Sequence, residues 1–128
     1  MKTTFNFKRL MFAFTLSILL ITTACHKEGI GGKSSVIGYV KHHEKPIPNA
    51  IVYIKYGATE FPGTNTANYD AHATAYGDAS YTIDHLRKGN YYLYAVGWDD
   101  ALLLQVTGGI AVKLKYNSAI STDLPVTE

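Results

Sequence analysis

From Val36 onward the chain alternates. Apolar residues recur at every second position in short runs closed by Gly, Pro, Asn or Asp, and no stretch carries the 3.6-residue period of an amphipathic helix. Side chains two residues apart share one face of a strand, so the pattern restricts this region to sheets that bury one face. Strands are expected at residues 36–40, 50–56, 80–84, 91–96 and 110–116, with weaker ones at 71–75 and 101–106 and a closing segment at 121–126. Pro46 and Pro48 lack the N–H that a sheet ladder needs and mark a turn. Gly108 and Gly109 are expected to break the chain before the strand at 110–116. Residues 57–70 (GATEFPGTNTANYD) form a 14-residue run of turn formers, long enough to suggest a functional or mobile loop. About seven short strands with such turns read as an all-β fold, an antiparallel β-sandwich.

The opening of the chain follows another grammar. Lys2, Lys8 and Arg9 precede a 12-residue apolar run at 10–21, interrupted only by Thr15 and Ser17. A membrane-spanning helix takes roughly 20 residues, so the run fits the apolar part of an export signal that is removed. Ile21-Thr22-Thr23-Ala24-Cys25 then leads into the only Cys of the chain. A single thiol excludes an internal disulfide framework and any Cys-only metal cluster. These residues resemble the lipobox of bacterial lipoproteins, departing from its commonest form at Thr22, where Leu is usual. The resemblance implies that residues 1–24 are a lipoprotein signal peptide and that Cys25 carries the lipid, palmitate included. The membrane is then reached through acyl chains, in the bacterial cell envelope, at the outer membrane rather than the inner where a cell has both. Residues 25–35 are rich in Gly and Ser and are expected to be a flexible lipid-anchored tether, with the folded domain at 36–128.

Charge narrows the partners. Twelve Lys plus Arg stand against 10 Asp plus Glu, and without Lys2, Lys8 and Arg9 nine basic residues face the ten acidic ones. No basic face for nucleic acid is expected.

The strand region also resembles the carboxypeptidase regulatory-like domains of the transthyretin-like group. The likeness is carried by Val36-x-Gly38-x-Val40, Pro46-x-Pro48-x-Ala50-x-Val52-x-Ile54, Thr74, Tyr81-x-Ile83, Leu86 and Gly89-x-Tyr91-x-Leu93-x-Ala95. It departs at Gly77, which is followed by Asp78-Ala79-Ser80 before Tyr81. The resemblance implies a sandwich of about seven strands, with Ala50, Val52, Ile54, Tyr91, Leu93 and Ala95 facing inward and Gly38 at a close backbone approach or bulge. It also implies an accessory, adhesive or spacer role. The hydroxyisourate hydrolase built on the transthyretin scaffold ends in Tyr-Arg-Gly-Ser, whereas this sequence ends Pro-Val-Thr-Glu, so that activity is not expected.

No residue set announces catalysis. There is no Gly-x-Ser-x-Gly and no phosphate-cradling loop, and no cofactor is expected. His42 and His43 are adjacent, so on a strand they point to opposite faces, and only in a turn can they share a metal; a solvated turn is the simpler expectation, with no metal site. A metal-dependent reading rests on Asp70, His72, Asp99 and Asp100, flanking the strands at 71–75 and 91–96. Tyrosine is the stronger signal, since all ten lie after Cys25. In the register that the resemblance implies, Tyr39, Tyr53, Tyr92 and Tyr94 fall on the outward parity and, with Trp98, form a candidate ligand or partner face; cross-strand pairing that stabilises the sheet is the competing reading. The expectation is a non-catalytic envelope module that docks a protein partner or serves structurally, with glycan binding through the aromatic residues as the alternative.

Overall fold

The computed structural model describes residues 27–128; the signal segment, Cys25 and His26 lie outside the described residues. The fold is a β-sandwich. Nine strands alternate with turns: β1 (Ile30–His42), β2 (Lys45–Pro46), β3 (Ile51–Tyr56), β4 (Ala71–Thr74), β5 (Ser80–Leu86), β6 (Gly89–Asp99), β7 (Leu104–Leu114), β8 (Ala119–Ser121) and β9 (Leu124–Pro125). One sheet runs β4-β3-β6-β7, antiparallel throughout. The other is organised on β1, which pairs antiparallel with β2 and β5 and parallel with β8 and β9.

The core forms where the inward rows of the two sheets meet. Val36 and Val40 of β1, Tyr81 and Leu86 of β5, and Leu124 close over Val52 and Ile54 of β3, Leu93 and Ala95 of β6, and Val106 and Leu114 of β7, all buried. The six positions expected to face inward, Ala50, Val52, Ile54, Tyr91, Leu93 and Ala95, do so. Two tyrosines in this core keep their hydroxyls satisfied, as buried polar groups require. Tyr91 donates to the Arg87 carbonyl at 2.7 Å and accepts from Gly29 N at 2.9 Å, while Tyr81 donates to the Thr122 carbonyl at 2.6 Å. Burial pushes both phenols above their ordinary pKa.

Five expectations change, the first at Pro46, which closes the short edge strand β2 opposite Lys41 instead of lying in a turn. β1 starts at Ile30, so residues 30–35 belong to a strand rather than to the tether expected over 25–35. Their glycines serve close approach: a Cβ on Gly32 would sit 2.2 Å from the Leu86 carbonyl oxygen. Residues 101–103 turn instead of extending, and Leu103 adopts a φ of 54°. Gly108 and Gly109 lie inside β7 rather than before it, because a Cβ on Gly108 would meet the Pro125 carbonyl oxygen at 2.2 Å and one on Gly109 the Tyr92 ring at 2.5 Å. In place of one closing segment at 121–126 there are two short strands, β8 starting already at Ala119 and β9 at Leu124, whose parallel pairing with β1 departs from a purely antiparallel sandwich.

Candidate functional site

The outward face of the four-stranded sheet divides in two. At one end, Tyr53 of β3 and Tyr94 of β6 are direct cross-strand partners, and Tyr92 follows on the same face. Here the loop at 57–70 folds back over the sheet. Its Tyr69 stacks on Tyr94 with ring centroids 5.6 Å apart and planes 19° apart, and its Phe61 lies 5.4 Å from Tyr94 and 5.8 Å from Tyr92. The loop is pinned at its far end by Asp70, which accepts from Tyr56 N at 2.7 Å and donates its own N–H to the Ile54 carbonyl at 2.9 Å. Within it, the Tyr69 hydroxyl donates to the Gly63 carbonyl, and burial pushes that phenol up to about 12. Tyr94 is left 4% exposed and Tyr53 and Tyr92 half-buried, so the loop covers most of this part of the expected aromatic face, with Phe61 itself exposed on the outer side. The reason is the loop's own aromatic residues, which offer these rings apolar partners in place of water.

The other end of the face is open. Trp98 of β6, 51% exposed, stands beside a shallow groove of about 480 Å³ lined also by Asn49, Ile51, Val96, Gly97 and Gln105. Gln105 is its direct partner across the β6–β7 ladder, and Ile51 pairs with Val96, so strand register alone places an indole and a carboxamide side by side over an apolar floor. Asn49 adds a second carboxamide from the turn before β3, where its φ of 59° suits Asn better than most residues. Gly97 is required behind this groove, since a Cβ there would sit 2.6 Å from Ile47 Cγ2. Tyr39, 44% exposed, lies on the outward face of β1 in the other sheet and shares no surface with Trp98. The five aromatic residues expected to form one face are therefore one sheltered group, Tyr53, Tyr92 and Tyr94, and two separate exposed rings.

A second arrangement joins the sheets from inside. His42 continues the inward row Val36, Gly38, Val40, and Asp99 continues the inward row Tyr91, Leu93, Ala95, Gly97, so each ends its strand with a polar side chain aimed at the core. Both are 2% exposed, which overturns the expectation of His42 in a solvated turn. They meet with His42 Nδ1 2.9 Å from Asp99 Oδ2. Asp99 Oδ1 accepts from Lys45 Nζ at 2.7 Å, from Ala101 N at 2.9 Å and from Leu102 N at 3.2 Å. The His42 hydrogen bond and the Lys45 ammonium hold the Asp99 carboxyl well below the usual carboxylate range. Asp99 in turn raises the His42 pKa, against a lowering by burial. Asp70 and His72 lie toward the opposite end of the same sheet, beside Ile54 and Tyr53, so the set Asp70, His72, Asp99 and Asp100 does not converge. Sequence parity carried the signal for His42 and Asp99, because His42 falls two residues beyond Val40 and Asp99 four beyond Ala95 on the inward row of its strand.

No protein-family model matches the chain, and no curated protein sequence matches it. Among solved structures, a protein from Pseudomonas aeruginosa described as a proposed carbohydrate-binding protein is similar with a TM-score of 0.53 at 14% identity, over 76% of this chain and 90% of that one. A DUF3823 family protein from Parabacteroides merdae gives 0.48 at 14% identity over 76% of this chain, which spans 47% of that larger one. At such identity the likeness to the first of these establishes one thing, that the chain shares its β-sandwich architecture.

Proposed function

We propose that the chain is a lipid-anchored bacterial envelope protein whose non-catalytic sandwich, of the carboxypeptidase regulatory-like type, is a carbohydrate-binding module. The observation that supports the ligand is the open groove at Trp98. An indole offers a flat apolar surface to the C–H face of a sugar ring, and the carboxamides of Asn49 and Gln105 both donate and accept, as neighbouring hydroxyls require. The groove is shallow, which suits one or two sugar units on an extended glycan. The carbohydrate binding proposed for the Pseudomonas aeruginosa protein agrees with this reading. The test is a glycan array followed by titration of the best oligosaccharide. Trp98→Ala is expected to weaken binding at least roughly tenfold while leaving the unfolding midpoint unchanged, since the ring is half exposed. A wild-type protein that binds no glycan on the array, or a variant that binds as well as wild type, overturns the ligand assignment.

Anchoring rests on the signal sequence and Cys25. Two or more acyl chains give stable attachment, at about 0.8 kcal/mol per buried methylene. Cys25→Ser is expected to move the protein from the membrane fraction to the soluble fraction and to abolish incorporation of labelled palmitate. Retention in the membrane fraction without label would point to attachment by the uncleaved apolar segment instead.

A second reading is docking of an envelope protein on the outward face of β1. Ile37 and Tyr39 are large exposed apolar side chains two residues apart there, and such groupings mark interaction surfaces. Cross-linking from Tyr39 in intact cells would capture that partner.

A further inference from the structure

We propose that His42, His43 and Glu128 form a binding site for a divalent transition metal of the zinc class, which fastens the segment after β9 to the hairpin between β1 and β2. The hairpin supplies the first condition. β1 and β2 are joined by only His43 and Glu44, with His42 paired to Lys45, and both loop residues have positive φ, 48° and 68°. Two-residue hairpin loops of this kind favour Asn and Gly, so His and Glu are strained choices there. The consequence is geometric. Adjacent histidines on a regular strand diverge, whereas the turn brings the His42 and His43 rings to a centroid separation of 4.4 Å.

The second condition is the tautomer of His42. Asp99 Oδ1 already accepts from Lys45 Nζ and two backbone N–H groups, and Oδ2 lies 2.9 Å from His42 Nδ1, so the carboxylate accepts there as well and Nδ1 carries the proton. In the neutral ring Nε2 is then a bare lone pair. Among the described residues it is a buried side-chain atom without a hydrogen-bond partner. Glu128 Oε2 lies 2.7 Å from it, close enough to share a cation with it. A lone pair and a carboxylate oxygen at that distance need a positive charge between or beside them, a shared proton or a metal ion, and zinc competes with the proton for the same lone pair. One donor atom from each of His42, His43 and Glu128 lies within 4.8 Å of the others. Zinc bonds nitrogen and oxygen at about 2.0–2.2 Å, and small rotations of the exposed His43 and Glu128 side chains close the set around one ion.

The surroundings match what such a site needs. A histidine ligand usually passes its other N–H to a carboxylate, which fixes the ring and strengthens the donor atom; Asp99 stands in that position, itself held by Lys45 and two backbone N–H groups. Two imidazole nitrogens select a borderline transition metal over calcium or magnesium, which prefer oxygen. With three protein ligands the fourth position is left to water.

The test titrates zinc chloride, and separately magnesium chloride, into the full chain purified in detergent without a histidine tag. One zinc per chain is expected, with a rise in the unfolding midpoint that magnesium does not reproduce. His43→Ala and Glu128→Gln, both at exposed positions, are each expected to weaken zinc binding roughly tenfold or more and to leave the metal-free midpoint in place. His72→Ala and His85→Ala are expected to bind zinc as the parent does. The proposal is overturned if the parent takes up no zinc at millimolar concentration, or if His43→Ala and Glu128→Gln bind as tightly as the parent.

Discussion

Gly38→Ala is expected to destabilise the sandwich by roughly 3 kcal/mol, a large cost for one methyl group. A Cβ at this position would lie 1.8 Å from the Thr122 carbonyl oxygen and 2.6 Å from its carbon, so the obstacle is backbone. That backbone cannot retreat freely. Thr122 N donates to the Ile37 carbonyl at 2.8 Å, and the Thr122 carbonyl accepts from the buried Tyr81 hydroxyl at 2.6 Å. Making room for the methyl means giving up one or both bonds and shifting β8 and β9 along β1. Equilibrium urea unfolding reads the loss, and hydrogen exchange should show it concentrated at residues 119–126. Gly77→Ala is the control: nothing lies within 4 Å of its Cβ, so a neutral or slightly stabilising change is expected. A Gly38→Ala protein as stable as the parent would mean that the segment after β7 is not seated on β1 as described.

Asp99→Asn keeps the shape of the side chain and removes its charge. The carboxylate accepts from four donors at once, on His42, Lys45, Ala101 and Leu102. An amide retains one acceptor oxygen and turns its other end into a donor, which then faces either the His42 N–H or the Lys45 ammonium. Removing the buried carboxylate charge leaves those donors mismatched, which is among the costlier single changes, and a fall in thermal midpoint of at least about 10 °C is expected. Lys45→Met should cost far less, because that ammonium is nearly half exposed and water replaces its partner. The folded-state pKa of Asp99 is depressed, so its contribution is fully present above the ordinary carboxylate pKa of about 4 and is lost as pH falls through the lower folded value. Parent and variant should therefore converge only in strong acid. Equal midpoints at neutral pH would remove the network from any structural role.

The inward rows were readable because burial imposes a period of two, and the same parity that places Val36, Val40, Leu93 and Ala95 in the core also places His42 and Asp99 there. The turn between β1 and β2 was not readable, because His43 and Glu44 are poor formers of the positive-φ conformation they adopt, and tertiary context overrides that preference. The same holds for residues 30–35. Gly31, Gly32 and the two serines carry little strand propensity, yet the chain pairs there with Leu86 through irregular register, and the glycines that suggest a spacer are the ones the Arg87 side chain and Leu86 backbone approach most closely. For the aromatic face, parity gave the right side of the sheet but not its cover. Phe61 and Tyr69 sit in a run of turn formers, where nothing in the local pattern says that they fold back onto Tyr92 and Tyr94.

The pairing of β1 with β8 and β9 also sets a timetable. Ser35 meets Ala119 and Val40 meets Leu124, so the first long strand waits for residues more than eighty positions later before its sheet is complete. Contacts this distant in sequence make folding slow, since the loop entropy is spent before the pairing returns it. A truncated product lacking residues 119–125 would present β1 as a bare strand edge, ready to pair with the same edge of another copy.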